Sequence, residues 1–220
     1  MVSKSIRLNG HNWHIKLLGE NAVLLENDDA THDIIHATTA LIHASKLAGI
    51  KDIVPAYSSI AVIFDLLQND VNELVKSLEN IQSSHISIHS NSILHEISVD
   101  YEKGLDWEEV MRITGLSKPE IIQIHTSTEY RVEMMGFVPG FIYLSGMDER
   151  LYCPRKENPR VRVPAGAVGI GGSQTGIYAL ESPGGWQIIG QTDVSLFDVK
   201  AVPPNRLNVG DRLRFVKTVA

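Results

Sequence analysis

Residues 136–144 read GFVPGFIYL, and residues 154–198 read PRKENPRVRVPAGAVGIGGSQTGIYALESPGGWQIIGQTDVSLFD. Most of the chain's seventeen glycines fall between residues 136 and 190, beside Val, Ile, Phe and Trp. A flexible linker is rich in Gly and Ser and poor in large apolar residues. Glycine reaches positive φ and lets backbone come close, so this stretch reads as short strands joined by tight turns around a shaped surface. Strand alternation flanks it: Tyr130, Val132 and Met134 alternate with Arg131 and Glu133, and Leu213 and Phe215 with Arg212 and Arg214. Many short strands with Gly/Pro turns indicate a barrel or a sandwich.

Upstream the pattern differs. Residues 15–26, IKLLGENAVLLE, hold two apolar runs split by Gly19-Glu20-Asn21 and read as a hairpin. Residues 30–48 read as a helix with Ile34, Thr38, Leu41, Ser45 and Ala48 on one face, stopped by Gly49. Residues 60–64, IAVIF, read as a strand. Asp70 with Glu73 forms a capping box for a helix carrying Val71, Leu74, Val75 and Leu78. The order β-β-α-β-α predicts a small α+β layer. Residues 82–96 are polar and without a strong period, so the expected domains are 1–95 and 96–220. The second opens on a strand near residues 97–101 and two short helices, boxed by Asp106/Glu109 and by Ser117/Glu120.

Composition excludes several functions. A net charge of −6 is wrong for a surface that must neutralise phosphates, so nucleic acid is not an expected partner. No apolar run reaches the ~18–20 residues of a membrane span. The opening MVSKSIRLNGHNW lacks the apolar segment of a secretory signal. The single cysteine, Cys153, makes an intrachain disulfide impossible, which suits a reducing cytoplasm. Gly171-Gly172-Ser173-Gln174-Thr175-Gly176 resembles a phosphate loop but lacks its lysine, and there is no G-x-S-x-G elbow.

The candidate site residues each carry two readings. His32, His36 and His43 share a helical stripe, and His32 and His36 have chelating spacing. With no third ligand indicated, a solvated stripe is expected and no metal site. Cys153 lacks a paired histidine and reads as structural. Arg155 and Arg160 either grip an anion through their guanidinium forks or are outward strand charge. Arg162, alternating with Val161 and Val163, fits the second description better. His125 and Glu129, four apart at a helix end, are either an acid/base pair or a helix-end hydrogen-bond pair. Gln174, Thr175 and Tyr178 offer neutral hydrogen-bonding groups amid glycines, as recognition of a small amide or a tight turn requires. Trp186, with Phe141 and Tyr143, is a pocket wall, an interface anchor or core.

These residues also carry a resemblance to the KipI family, described as the B component of 5-oxoprolinase or as allophanate hydrolase subunit 1. Leu18-Gly19-Glu20, Val54-Pro55-Ala56-Tyr57, and His125 followed by Glu129-Tyr130 match its segments. So do the GFxPGFxYL run from Gly136 to Leu144, Pro154-Arg155, Pro159-Arg160, VPAGAVGIG at 163–171, QTGIY at 174–178 and SPGGW at 182–186. Gly210-Asp211 precedes the last strand as in the family. Two departures stand out: the loop from Tyr101 to Asp106 looks shorter than the family's and lacks its proline, and Ile142 stands where proline is common.

The resemblance implies a small α+β N-terminal subdomain followed by a cyclophilin-like β-barrel. It implies a cytoplasmic protein working in a hetero-oligomer with a KipA-like partner (PxpC) and a LamB/YcsF-like partner (PxpA). Such an assembly cleaves 5-oxo-L-proline to L-glutamate, with ATP and Mg2+ bound by the complex. On that reading His125 and Glu129 are the catalytic candidates, and Arg155, Arg160, Gln174, Thr175 and Tyr178 the substrate contacts. The family name comes from inhibition of a sporulation histidine kinase, so a kinase-binding role is the alternative, and hydrolysis of another small amide or urea derivative is a third.

Overall fold

The computed structural model describes residues 4–81 and 92–218. They divide into two compact units on either side of residue 90. Most of the polar stretch expected to hold the boundary, residues 82–91, lies outside the described residues.

The first unit is a five-stranded antiparallel sheet with two helices. Its strands are β1 (Lys4–Leu8), β2 (His11–Leu17), β3 (Ala22–Glu26), β4 (Ile50–Pro55) and β5 (Ser59–Phe64), in the order β1-β2-β3-β5-β4. The expected hairpin is β2–β3, closed by the Leu18 N–H donating to the Ala22 carbonyl at 2.9 Å. Strands β1 and β4 escape the sequence pattern for physical reasons. KSIRL carries only two inward apolar residues, Ile6 and Leu8. IKDIVP is interrupted by a register shift between Ile50 and Asp52, and its Pro55 is tolerated because β4 is an edge strand.

Helix α1 runs His32–Ser45 and ends earlier than Gly49, because Lys46 itself turns into the left-handed region at φ 48°. Its buried face is Ile35, Thr38, Thr39, Leu41 and Ile42, rotated from the face expected around Ile34 and Ala48. Helix α2 (Val71–Glu79) starts at the expected box: Asp70 Oδ1 accepts from the N–H groups of Asn72 and Glu73, and Glu73 accepts from the Asp70 N–H. Such a cap is worth about 1 kcal/mol. Both helices bury their apolar stripes with Trp13, Leu25, Ile60, Val62 and Phe64 in one core.

The second unit is a barrel. Its strands are β6 (Leu94–Val99), β7 (Glu129–Met135), β8 (Ile142–Ser145), β9 (Arg160–Val163), β10 (Ala167–Gly171), β11 (Gln174–Ile177), β12 (Ser182–Gly184), β13 (Gln187–Gln191) and β14 (Arg212–Lys217). Seven of these form one sheet in the order β13-β10-β11-β8-β7-β14-β6, antiparallel except for β14–β6. Asp100, just past β6, exchanges backbone hydrogen bonds of 2.8 and 3.0 Å with Gln191 at the end of β13. This bridge joins the ends of the two edge strands and curls the sheet toward closure.

Helices α3 (Trp107–Thr114) and α4 (Lys118–Ser127) contribute Val110, Ile121 and Ile122 to the barrel core. Strand alternation fills that core with Val168, Ile170, Ile142, Leu144, Ile177, Leu213 and Phe215. On β7 the alternation holds through Val132 and then breaks. A bulge between Val132 and Met134 buries Glu133, whose carboxylate accepts from Ser145 Oγ at 2.8 Å. The separate β9–β12 pair supplies Val163 to a second, smaller cluster with Phe141, Ala167, Tyr178, Trp186 and Ile188.

Candidate functional site

That second cluster builds a pocket on the outer face of the barrel wall. Along β8 side chains alternate, so Ile142 and Leu144 enter the core while Phe141, just before the strand, and Tyr143 take the other face. There they meet Trp186: the Phe141 ring stands edge-on to the indole at 5.4 Å and Tyr143 at 5.7 Å. Phe141 also meets Tyr178 edge-on at 4.8 Å. The indole fits because the wall beneath it has no side chains. A Cβ on Gly171 would stand 2.6 Å from the ring; one on Gly176 would stand 2.9 Å from the ring and closer still to the Ile142 carbonyl. The glycine richness of residues 136–190 is thus partly a shelf for one tryptophan.

The resulting cavity is about 250 Å³, lined by Phe137, Phe141, Tyr143, Arg155, Tyr178 and Trp186, with Pro159, Pro183 and Gly184–Gly185. Arg155 stands over the indole, its guanidinium carbon 5.6 Å from the ring. Among the described residues it has no carboxylate partner, whereas its neighbours Lys156 and Arg160 both do. Burial pushes the Tyr143 and Tyr178 hydroxyls above the usual phenol value, Arg155 partly opposing this, so both are neutral and can donate at neutral pH. The pocket therefore offers one permanent cation, two phenol hydroxyls and flat apolar walls. That donor set fits a small planar molecule carrying a single carboxylate. It does not fit a triphosphate with its Mg2+, which needs several cations or a cradle of backbone N–H groups.

Asp106 holds this arrangement. It stands at the start of α3, where the sequence predicts a capping box with Glu109. No side-chain cap forms; Glu109 pairs with Arg112 instead. The Asp106 carboxylate takes both terminal nitrogens of Arg160, at 2.6 and 2.8 Å, Lys156 Nζ at 2.9 Å, and the Ile188 N–H at 2.7 Å. Burial raises its pKa, but Arg160, the Ile188 N–H and Lys156 outweigh that and hold it below the usual carboxylate value. Arg160 is therefore a structural ion pair. No local sequence signal marks Asp106 as the partner of Lys156 and Arg160, because those cations lie about fifty residues further on.

The other expected site residues go elsewhere. His125 is fully buried in the barrel core, stacked on Phe215 at 4.4 Å. Thr175, also fully buried, donates its one hydroxyl proton to the Gly169 carbonyl at 3.0 Å. His125 Nε2 must then donate to Thr175 Oγ1 (3.0 Å), and Nδ1 accepts from the Tyr101 hydroxyl (2.7 Å). Burial depresses the His125 pKa to about 3, so the ring stays neutral. Glu129 lies at the start of β7, its carboxylate on Arg212 (3.1 Å) and Arg214 (3.5 Å). The acid/base pair suggested by the four-residue spacing is not formed, because Glu129 begins a strand while His125 ends inside the core. Gln174 opposes Gly171 at the β10–β11 turn, outside the cavity lining. Arg162 pairs with exposed Glu181 at 2.6 Å. Cys153 is buried and its thiol is pushed up to about 11, mainly by burial.

The barrel, its outer aromatic pocket and the preceding α+β unit place this chain in a defined class: it belongs to the carboxyltransferase domain family, subdomain C and D, whose family model matches residues 13–207. Among curated proteins, the 5-oxoprolinase B subunit of Bacillus subtilis (strain 168) is 38% identical, with 93% of this chain and 92% of that protein covered. The 5-oxoprolinase B subunit of Escherichia coli O157:H7 is 39% identical, with 91% and 94% covered. Among solved structures, TTHA0988 superposes with a TM-score of 0.78 at 32% identity over 90% of this chain. This chain spans about 40% of the TTHA0988 chain. No helix among the described residues is long and apolar enough to cross a membrane.

Proposed function

We propose that this chain is the B-type component of an ATP-dependent 5-oxoprolinase, which cleaves 5-oxo-L-proline to L-glutamate together with a KipA-like partner and a LamB/YcsF-like partner. The observation that carries this reading is 38–39% identity over nearly the full length of both partners in the alignments with the 5-oxoprolinase B subunits of two bacteria. A cytoplasmic location goes with it.

The pocket supports the reading chemically. 5-Oxoproline is a flat five-membered lactam with one carboxylate. Arg155, without a carboxylate partner among the described residues, grips that carboxylate through its fork. Trp186 and Phe141 pack on the ring and exclude water. The Tyr143 and Tyr178 hydroxyls, neutral like any phenol at this pH and held further so by burial, donate to the lactam oxygen. A lactam resists hydrolysis because its amide is resonance-stabilised. ATP, bound with Mg2+ by the assembled complex, supplies the activation of the amide oxygen. This chain's part is to bind and orient.

The isolated chain has no turnover on this reading, because the lining residues include no nucleophile with an adjacent base. The test is purification of the chain alone, with the KipA-like protein, and with both partners. Co-elution at micromolar concentration and ATP-dependent glutamate release only from the complete assembly are expected. Turnover by the isolated chain, or no release by the assembly, overturns it.

A further inference from the structure

We propose that Asp106 is a positioning residue for the ligand's anionic group: by engaging Lys156 and Arg160 it leaves Arg155 as the one guanidinium of its segment offered to the pocket. The proposal rests on the reading of the Arg155 pocket as the substrate site. Segment 154–160 is held at four points, two on residues 185–187 and two on Asp106. Gln187 Nε2 donates to the Pro154 carbonyl at 3.1 Å, and the Lys156 N–H donates to the Gly185 carbonyl at 2.7 Å. The Lys156 and Arg160 side chains both end on Asp106. Asp106 in turn holds the strand with both of its own groups, its N–H on the Ile188 carbonyl (3.0 Å) and its carboxylate on the Ile188 N–H (2.7 Å).

Ile188 is two residues from Trp186, so one carboxylate fixes both the indole strand and the segment that carries Arg155 over it. The charge logic is as direct as the geometry. Without the carboxylate, Lys156 and Arg160 lose the buried partner that turns them away from the pocket, and they compete with Arg155 for the incoming carboxylate. The side chain of Asp106 is only 3% exposed, so solvent cannot replace it.

The test uses Asp106→Asn in the complete assembly, with Lys156→Gln as the milder variant. Lys156 is itself partly exposed, so its loss leaves the Arg160 fork and the fold in place. KM for 5-oxoproline should rise roughly tenfold in Asp106→Asn, the loss expected when one charge-assisted contact is misplaced, while kcat changes less than KM. Lys156→Gln should shift it in the same direction by less. A spectroscopic signature separates positioning from general weakening: the Arg155 Nε–Hε cross-peak of the chain alone should move in both variants while backbone amides of β7 and β14 stay in place. Unmoved Arg155 signals together with unchanged KM in the soluble variants overturn the proposal. A moved Arg155 signal with KM unchanged, in these variants and in Arg155→Ala, supports the positioning role and instead removes the pocket from the substrate site.

Discussion

Replacing Gly171 by alanine tests whether the glycine-rich wall exists to seat Trp186. Gly171 is outside the left-handed region, so alanine adds no backbone strain there. The new Cβ meets three indole atoms at 2.6–2.7 Å. Ordinary carbon contacts begin near 3.5 Å, so the ring must withdraw by about 1 Å. Only the pocket side is open to it, since Phe141 and Tyr143 stand edge-on against it and Arg155 lies over it. Overpacking of this kind costs about 1–3 kcal/mol, and the confinement places Gly171→Ala in the upper half. At about 2–4 °C per kcal/mol for a chain of this size, the melting point should fall by about 4–12 °C. Gly136→Ala is the control, because its Cβ meets only the end of Met134 at 3.8 Å. Trp186→Leu removes the clashing ring, so the double variant should recover about 1–2 kcal/mol relative to the sum of the single changes. Thermal or urea unfolding compares the four variants with the wild type. An unchanged melting point for Gly171→Ala, or strict additivity with Trp186→Leu, refutes the reasoning.

Arg155→Ala should raise KM of the assembled enzyme for 5-oxoproline by about 10–100-fold, the worth of one hydrogen bond to a charged group, and barely move the melting point, because its side chain lies over the Trp186 ring at the pocket and holds no ion pair among the described residues; Arg155→Lys should restore little, since the fork is lost. His125→Gln keeps a donor and an acceptor for Thr175 and Tyr101 but cannot titrate. The native His125 pKa lies near 3, below the unfolded value of about 6.5, so the unfolded state binds the extra proton in that window. The histidine's stability is therefore fully present above about pH 6.5 and is lost as pH falls toward 3, and the wild-type-minus-variant stability should decline by up to about 1.4 kcal/mol per pH unit there; a flat difference in urea titrations between pH 4 and 6.5 would exclude a buried neutral ring. Cys153 should resist iodoacetamide at pH 7.5 in the native chain and react promptly in urea, since burial keeps it a thiol; rapid native labelling would contradict its placement.

Much of the local structure is legible in the sequence because its causes are local. The turn at Gly19-Glu20-Asn21, the Asp70–Glu73 box and the alternation at Leu213 and Phe215 each depend on residues a few positions apart, and each forms as read. Reading fails where a local rule is outbid from a distance. Asp106 has the spacing of a helix cap, but two cations about fifty residues on bind a carboxylate more strongly than helix N–H groups do. His125 has the spacing of an acid/base partner for Glu129, but the change from helix to strand between them sends one inward and the other to Arg212.

The sequence by itself determined a glycine-rich, strand-forming second half, its kinship with 5-oxoprolinase B subunits, and a short set of cations and aromatics from which a pocket would be made. Only the tertiary structure decided which of them meet. Barrel closure through Asp100 and Gln191 brings β13 against Asp106, which draws in Lys156 and Arg160 and leaves Arg155 over Trp186. Those choices turn on competition among partners far apart in the chain, and the energies that decide it, desolvation and charge pairing, have values only once the neighbours are in place.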